Sequence, residues 1–422
     1  MARTVTASIA LALVLAACAP AAHAASRGPC IPGGSGPDCT LWRAKVVAVH
    51  DGDTIDVRLG GKRRRVRLTG VNAMEQTVYS SRPSRRRGAC HALAATARLE
   101  RLIRAGRATV RLAAQDPRSR AGARLRRAVY VRTGGGWVDV AQVLLAEGHA
   151  LWLPNGIEWA WNLAHSEAAE RAATQGLRLW DTDSCGSGPN EGWPLRVWIN
   201  WDADGVDNEN PNGEWVRVKN LDTARDVSLA GWWVRDSALR EFRFPAGTTV
   251  PAGGTVTLHV GRGQATGSDF FWGYPDAAFE NVDDEHAYGD GAYLFDPQGD
   301  VRAWMTYPCR NECAQALPGL ELGANPRSPE SVTLRNAAAS VIDLEGFRLV
   351  ASSETYDFGP DSAIAPGETL VLNIGGSPRN DTRLAKHWGL RRSILDERGD
   401  SVRLITFADA GLACHAWGTT SC

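Results

Sequence analysis

Two nearby stretches decide the fold: His50-Asp51-Gly52-Asp53-Thr54, and then Arg67-Leu68-Thr69-Gly70-Val71-Asn72-Ala73-Met74-Glu75. The first reads as a turn, because Asp side chains bond nearby backbone and Gly tolerates positive φ. It separates residues 42–49 from 54–59, and Gly60-Gly61 separates the latter from 62–70. All three segments alternate apolar and polar residues, which predicts short strands joined by tight turns in an antiparallel meander. Further on, residues 91–105 carry Leu93, Ala97, Leu99, Leu102 and Ile103 mostly at helical spacing. Residues 108–112 and 128–132 read as two more strands, and 138–147 and 158–174 as helices. Five strands with appended helices predict an α+β domain built on a small Greek-key barrel.

The 422 residues balance 47 Lys+Arg against 47 Asp+Glu, but the balance is the sum of two opposed halves. Residues 41–180 hold 25 Lys+Arg and 11 Asp+Glu, a net of +14, and residues 181–422 hold 20 and 35, a net of −15. Only Lys45, Lys62, Lys219 and Lys386 are lysines. That bias accounts for Arg over Lys, and not for a basic excess that stops near Trp180. The basic block is a candidate polyanion binder. A hydrophobic content of 44 % supports packed cores and excludes wholesale disorder. No internal apolar run reaches the ~18 residues of a membrane span.

Arg3, an apolar run from Ile9 to Ala17 and the Ala22-His23-Ala24 pattern predict a signal peptide over residues 1–24. Leu15-Ala16-Ala17-Cys18 also reads as a bacterial lipobox, in which Cys18 carries lipid. Either reading puts the mature chain outside the cytoplasm, secreted or lipid-anchored to the cell envelope. Eight other cysteines remain, and an even number in an exported chain implies disulfides. Of the many pairings open, local closeness favours Cys30–Cys39, Cys309–Cys313 and Cys414–Cys422, which leaves Cys90–Cys185. Each bridge contributes about 2–4 kcal/mol. Cys309 and Cys313 have no second Cys/His pair at zinc spacing. Residues 25–40, rich in Gly and Pro, read as a poorly ordered lead-in.

After the domain at 41–183, residues 184–194 read as a Gly/Ser/Pro linker. Short strands then recur at 195–200, 214–220, 229–234 and 255–260, which predicts an all-β sandwich over 195–308. Residues 318–422 repeat the pattern more weakly. Leu344-Glu345-Gly346-Phe347-Arg348-Leu349 parallels Leu229-Ala230-Gly231-Trp232-Trp233-Val234, and residues 330–336 parallel 214–220. Asp202-Ala203-Asp204-Gly205-Val206-Asp207-Asn208-Glu209 suits either an acidic turn or a calcium loop.

Taken together, the D-G-D-T turn, Arg67 to Glu75, Arg124-Leu125-Arg126-Arg127-Ala128-Val129-Tyr130 and Gly176-Leu177-Arg178-Leu179-Trp180 resemble the staphylococcal nuclease-like (thermonuclease) family. The resemblance implies a five-stranded OB-fold barrel with helices and calcium-dependent hydrolysis of phosphodiesters. It assigns Asp53 and Asn72 to Ca²⁺, with the Ala73 carbonyl and the supporting carboxylate of Asp51. Glu75 matches the base that orients the attacking water, and Arg67 and Arg126 match the phosphate-gripping arginines. The sequence departs from the family at Asn72, where an Asp is usual, so calcium binding is expected roughly tenfold or more weaker. Met74 replaces a proline, and Arg124 rivals Arg126, which is placed by counting back from Tyr130.

The clusters Lys62-Arg63-Arg64-Arg65 and Arg85-Arg86-Arg87 are candidate phosphate neutralisers, against the alternative of plain solvated faces. Tyr79 and Tyr130 are candidate base-stacking platforms, with packing as the competing role. Residues 195–308, through Asn212–Asn220, Leu229–Asp236 and Phe244-Pro245-Ala246-Gly247, resemble bacterial lamin-tail domains, which implies immunoglobulin-like sandwiches; residues 318–422 look like a second, degenerate copy. The expected function is an exported, calcium-dependent nuclease for DNA or RNA with low sequence specificity. The competing expectation is a catalytically weakened polyanion-binding envelope protein, attached by sandwiches that bind a cell-surface ligand.

Overall fold

The alternating segments close on themselves. The structure, a computed structural model, describes residues 25–186, 192–308, 317, 319–406 and 411–422. Five strands, β1 (Asp38–Val49), β2 (Thr54–Leu59), β3 (Lys62–Leu68), β4 (Thr109–Ala114) and β5 (Arg124–Thr133), form the N-terminal barrel. β1, β2 and β3 are an antiparallel meander, β3 pairs β5 in parallel, and β4 closes the ring antiparallel to both β5 and β1. Closure leaves no edge for foreign strands. Alternate residues point inward: Val46, Ile55, Val57, Val66, Leu68, Val110, Leu112, Val129 and Val131 fill the barrel. Helix α1 (Ala92–Ala105) adds Leu99, Leu102 and Ile103, and α2 (Val140–Ala146) adds Leu144 and Leu145. Asp139 starts α2 by accepting the Ala141 and Gln142 amides. Helix α3 (Asn162–Thr174) lies beside α2.

The lead-in is ordered, contrary to expectation. Ser26–Pro29 pairs antiparallel with the start of β1, and Cys30–Cys39 closes the hairpin. The Tyr130 hydroxyl donates to the Cys30 carbonyl at 3.0 Å and accepts the Trp161 indole N–H at 2.6 Å. Gly and Pro here build a turn; their composition alone does not separate a turn from disorder. Cys90–Cys185 and Cys414–Cys422 are also joined, whereas Cys309–Cys313, the signal peptide with Cys18, and residues 187–191 of the linker lie outside the described residues.

Two immunoglobulin-like β-sandwiches follow. In the first, one sheet runs Leu195–Asn200, Trp215–Asn220, Thr255–His259, Asp269–Phe271, and the other Glu241–Arg243, Trp233–Asp236, Asp290–Phe295, Val301–Tyr307. The second repeats that order with Leu320–Asn325, Ser331–Asn336, Thr369–Asn373, Ala385–His387, and with Glu354–Asp357, Arg348–Ala351, Gly399–Ile405, Gly411–Gly418. The strand expected at 229–234 begins only at Trp233. Leu229 to Trp232 form a turn, with the Trp232 amide on the Leu229 carbonyl at 3.0 Å and Gly231 at φ 79°. The second copy repeats this at Leu344 to Phe347 with Gly346 at φ 78°.

The first sandwich is fused to the barrel. Trp233, Tyr293, Phe295 and Trp304 share one buried cluster with Met74, Leu151, Leu179 and Trp180. Trp233 stacks on Phe295 with ring centroids 4.0 Å apart, while its neighbour Trp232 sits in the sandwich interior. The second sandwich meets the first through a polar seam, with Arg196 and Lys219 each 3.0 Å from Asp343. No helix among the described residues is long and apolar enough to cross a membrane.

Candidate functional site

The β1–β2 turn carries the first carboxylates. The His50 amide bonds the Thr54 carbonyl, and the Asp53 amide bonds the Asp51 carboxylate at 3.1 Å. Gly52 is required here, because a Cβ would lie 2.6 Å from the Ala73 side chain and 2.7 Å from that of Ala95. That close approach presses the turn against the loop after β3. Gly70 is required for the same loop: its φ is 83°, and a Cβ would meet the His165 ring at 2.0 Å.

Arg67 is the hub. It is buried, and its guanidinium ion-pairs with Asp53. It also donates to the Asn72 side-chain oxygen at 2.6 Å and to the Val71 carbonyl at 3.2 Å. Asp53 further accepts the Thr54 hydroxyl at 2.9 Å and the Ala73 amide at 2.8 Å. Arg126 stands opposite Arg67 in the parallel β3–β5 register, and burial, then the Arg67 charge, lowers its pKa. Its buried Nε has no hydrogen-bond partner among the described residues. Arg124 reaches the Thr54 hydroxyl at 3.3 Å, so both candidate arginines border the site. Glu75 is exposed on the rim, with its carboxylate free of hydrogen bonds among the described residues. Burial, then the Asp53 charge, pushes Asp51 up to about 7.

Asn72 is not open to a ligand. Its oxygen faces Arg67, and its amide nitrogen donates 2.8 Å to the Ser237 carbonyl of the first sandwich. Next to it, Arg235 contacts the Met74 sulfur at 3.7 Å. The sandwich therefore forms one wall of the site, through residues 165 positions from Asn72 in the case of Ser237. Nothing in the sequence pattern points to Ser237 or Arg235 as site residues.

Calcium takes about six to eight oxygen ligands. Here Arg67 bridges Asp53 and Asn72, so the two ligands that the family resemblance assigns hold a guanidinium, and Ala73 offers Asp53 its amide. Among the described residues, the one set of three His/Cys/Asp/Glu ligand atoms within 4.8 Å is Cys90, His91 and Cys185, whose sulfurs are bonded to each other. The residues as arranged do not fit the ion. In the acidic loop 202–209, Asp207 is committed, accepting the Ala203 backbone amide at 3.0 Å and the Asn281 side-chain amide at 2.7 Å.

The expected nucleic-acid residues divide. Lys62 and Arg64 are exposed without an ion pair among the described residues, but Arg63 and Arg65 pair with the buried Asp56 at 2.6 and 3.0 Å. Arg85 and Arg87 are exposed. Arg86 is not a phosphate ligand: it is buried, donating to the Ser80 carbonyl at 2.8 Å and to Glu100 at 2.7 Å. Tyr130 is not a stacking platform, since its ring is buried and its hydroxyl is spent on Cys30 and Trp161. Tyr79 is 53 % exposed, and burial, then the charges of Asp51, Glu75 and Asp53, raises the pKa of its hydroxyl.

A comparison with curated proteins returns no match. Residues 199–309, the sandwich that walls the site, match the family model of the Lamin Tail Domain.

Proposed function

We propose that residues 41–183 engage the phosphodiester backbone of DNA or RNA and hydrolyse it with low sequence specificity. The supporting observation is that one barrel mouth holds Arg126 beside Arg67 and the Asp51–Asp53 turn, with the exposed Glu75 two residues beyond Ala73, whose amide Asp53 accepts. Arg126 and Arg124 hold the phosphate and stabilise charge developing on its oxygens. Glu75 accepts a proton from water as the water oxygen bonds phosphorus, and the P–O bond to the leaving sugar oxygen breaks, that oxygen taking up a proton from solvent. Asp53 and Asn72 act by holding Arg67. The protein acts outside the cytoplasm, a reading supported by the pattern of residues 1–24 and by three disulfides.

A second reading is favoured by one observation: Asn72 ties Arg67 to Ser237. On that reading the barrel retains nucleic acid with little turnover, and the sandwiches attach it to a cell-surface ligand. Digestion of plasmid DNA and of RNA between about pH 6 and 10 with Ca²⁺, Mg²⁺ or EDTA separates the two. Digestion that Glu75→Gln abolishes, with retention kept, supports the nuclease; retention without digestion in every buffer supports the second reading.

A further inference from the structure

The far end of the barrel holds a cavity of about 690 Å³ that the mouth does not use. Its wall carries Arg43, Arg107, Arg111, Arg132, Trp42 and Trp137, and no carboxylate. Arg43 and Arg111 face each other across the β1–β4 register, and Trp137 faces Arg132 across the hairpin that follows β5. Like charges directly opposite on paired strands destabilise a sheet. At the β2–β3 hairpin the same problem is solved by Asp56, which neutralises Arg63 and Arg65. At the far end nothing does: Arg43, Arg107 and Arg132 are exposed and have no ion pair among the described residues. Arg111 instead lies over the Trp137 ring, 4.3 Å from its centroid. The ordered lead-in contributes Ser26 to the same wall.

We infer that this cavity is a second nucleic-acid site, an exosite for a single strand. Four unneutralised guanidinium groups suit consecutive phosphates. Two half-buried indoles lie among them, Trp137 under Arg111 at 4.3 Å and Trp42 under Arg127 at 4.7 Å, and unpaired bases stack on such indole and guanidinium planes whatever their sequence. A duplex keeps its bases stacked on one another and offers the indoles nothing. Arg43 and Asp51 are eight residues apart along β1 and its turn, roughly 25 Å at about 3.3 Å per residue. A long strand therefore occupies both ends of the barrel, and a very short one reaches the mouth alone. The inference rests on the reading of the barrel as a nucleic-acid domain.

The test measures binding of a long labelled single strand by fluorescence anisotropy against salt, in the Glu75→Gln protein to prevent cutting. Replacing Arg43, Arg107 and Arg132 together by Gln should weaken binding about tenfold or more and reduce the salt slope by about 2, at ~0.7 per phosphate contact. Replacing the same three by Lys should restore the slope. Trp137→Ala should weaken strand binding about fivefold or more while leaving inorganic polyphosphate binding unchanged. With Glu75 intact, the Gln triple should cut a dinucleotide phosphodiester at the wild-type rate. Unchanged affinity and slope in the Gln triple would overturn the exosite and leave the nuclease standing. Equal indifference of strand and polyphosphate to Trp137→Ala would reduce it to a general anion patch and overturn the nucleic-acid assignment. If the unmodified protein cuts nothing, yet the Gln triple abolishes strand binding, the nuclease fails and the exosite stands.

Discussion

The two ends of the barrel meet the same excess of arginine in opposite ways. At the mouth, Arg67 is buried against Asp53 and Asn72, and a sandwich closes over them. At the far end, Arg43, Arg107 and Arg132 stand exposed without a counter-charge among the described residues. Arg67 at the mouth is therefore part of the fold, whereas the far-end guanidinium groups are left to solvent. A burial-and-pairing difference of this kind separates structural charge from binding charge more reliably than net charge does, because a paired, desolvated arginine has little left to offer a phosphate.

The contrast is sharpest in stability. Arg67→Ala strands the buried Asp53 and should cost about 3–5 kcal/mol, whereas Arg43→Ala should stay within about 0.5 kcal/mol. Urea unfolding midpoints measure both, and equal costs would break the comparison. A smaller effect is expected at the wall of the mouth. Asn72→Asp places a carboxylate oxygen against the Ser237 carbonyl and should cost about 1–3 kcal/mol. The same variant supplies the missing ligand charge, so a gain of digestion at limiting calcium would show that the wall can open.

A buried histidine away from both ends should leave that contrast untouched. His149 is buried with neither ring nitrogen hydrogen-bonded among the described residues and Nε2 3.7 Å from the Glu147 carboxylate, and burial, then the Arg178 charge, lowers its pKa from 6.5 to about 4. The native state then binds fewer protons than the unfolded one between those values. Stability is intact above pH 6.5 and falls as pH drops toward 4. His149→Asn should flatten that part of the stability–pH curve, equally for proteins altered at either end.

Much of this was legible in the chain. The alternation over 54–59 matches β2, and the repeat of Leu229 onward by Leu344 onward is a real repeat, turn and strand alike. Cysteine spacing identified three of the bridges. Residues 25–40 were misread because Gly and Pro serve hairpins and disorder equally. Arg86 and Tyr130 were misread because a local pattern does not say which face another element will cover. Trp232 and Trp233 show the limit well: adjacent in sequence, one is buried inside the sandwich and the other against the barrel.

Taken alone, the sequence determined most of the barrel strands, the turns at Gly52 and Gly60 and the split of charge. These follow from short-range periodicity, backbone sterics and composition. Tertiary structure decided which of the charged residues remain available. The Asn72–Ser237 bond, the Trp180–Trp304 contact and the gathering of Arg43, Arg107 and Arg132 join positions far apart in the chain. Such contacts depend on how whole domains and strands pack, and no local pattern encodes that.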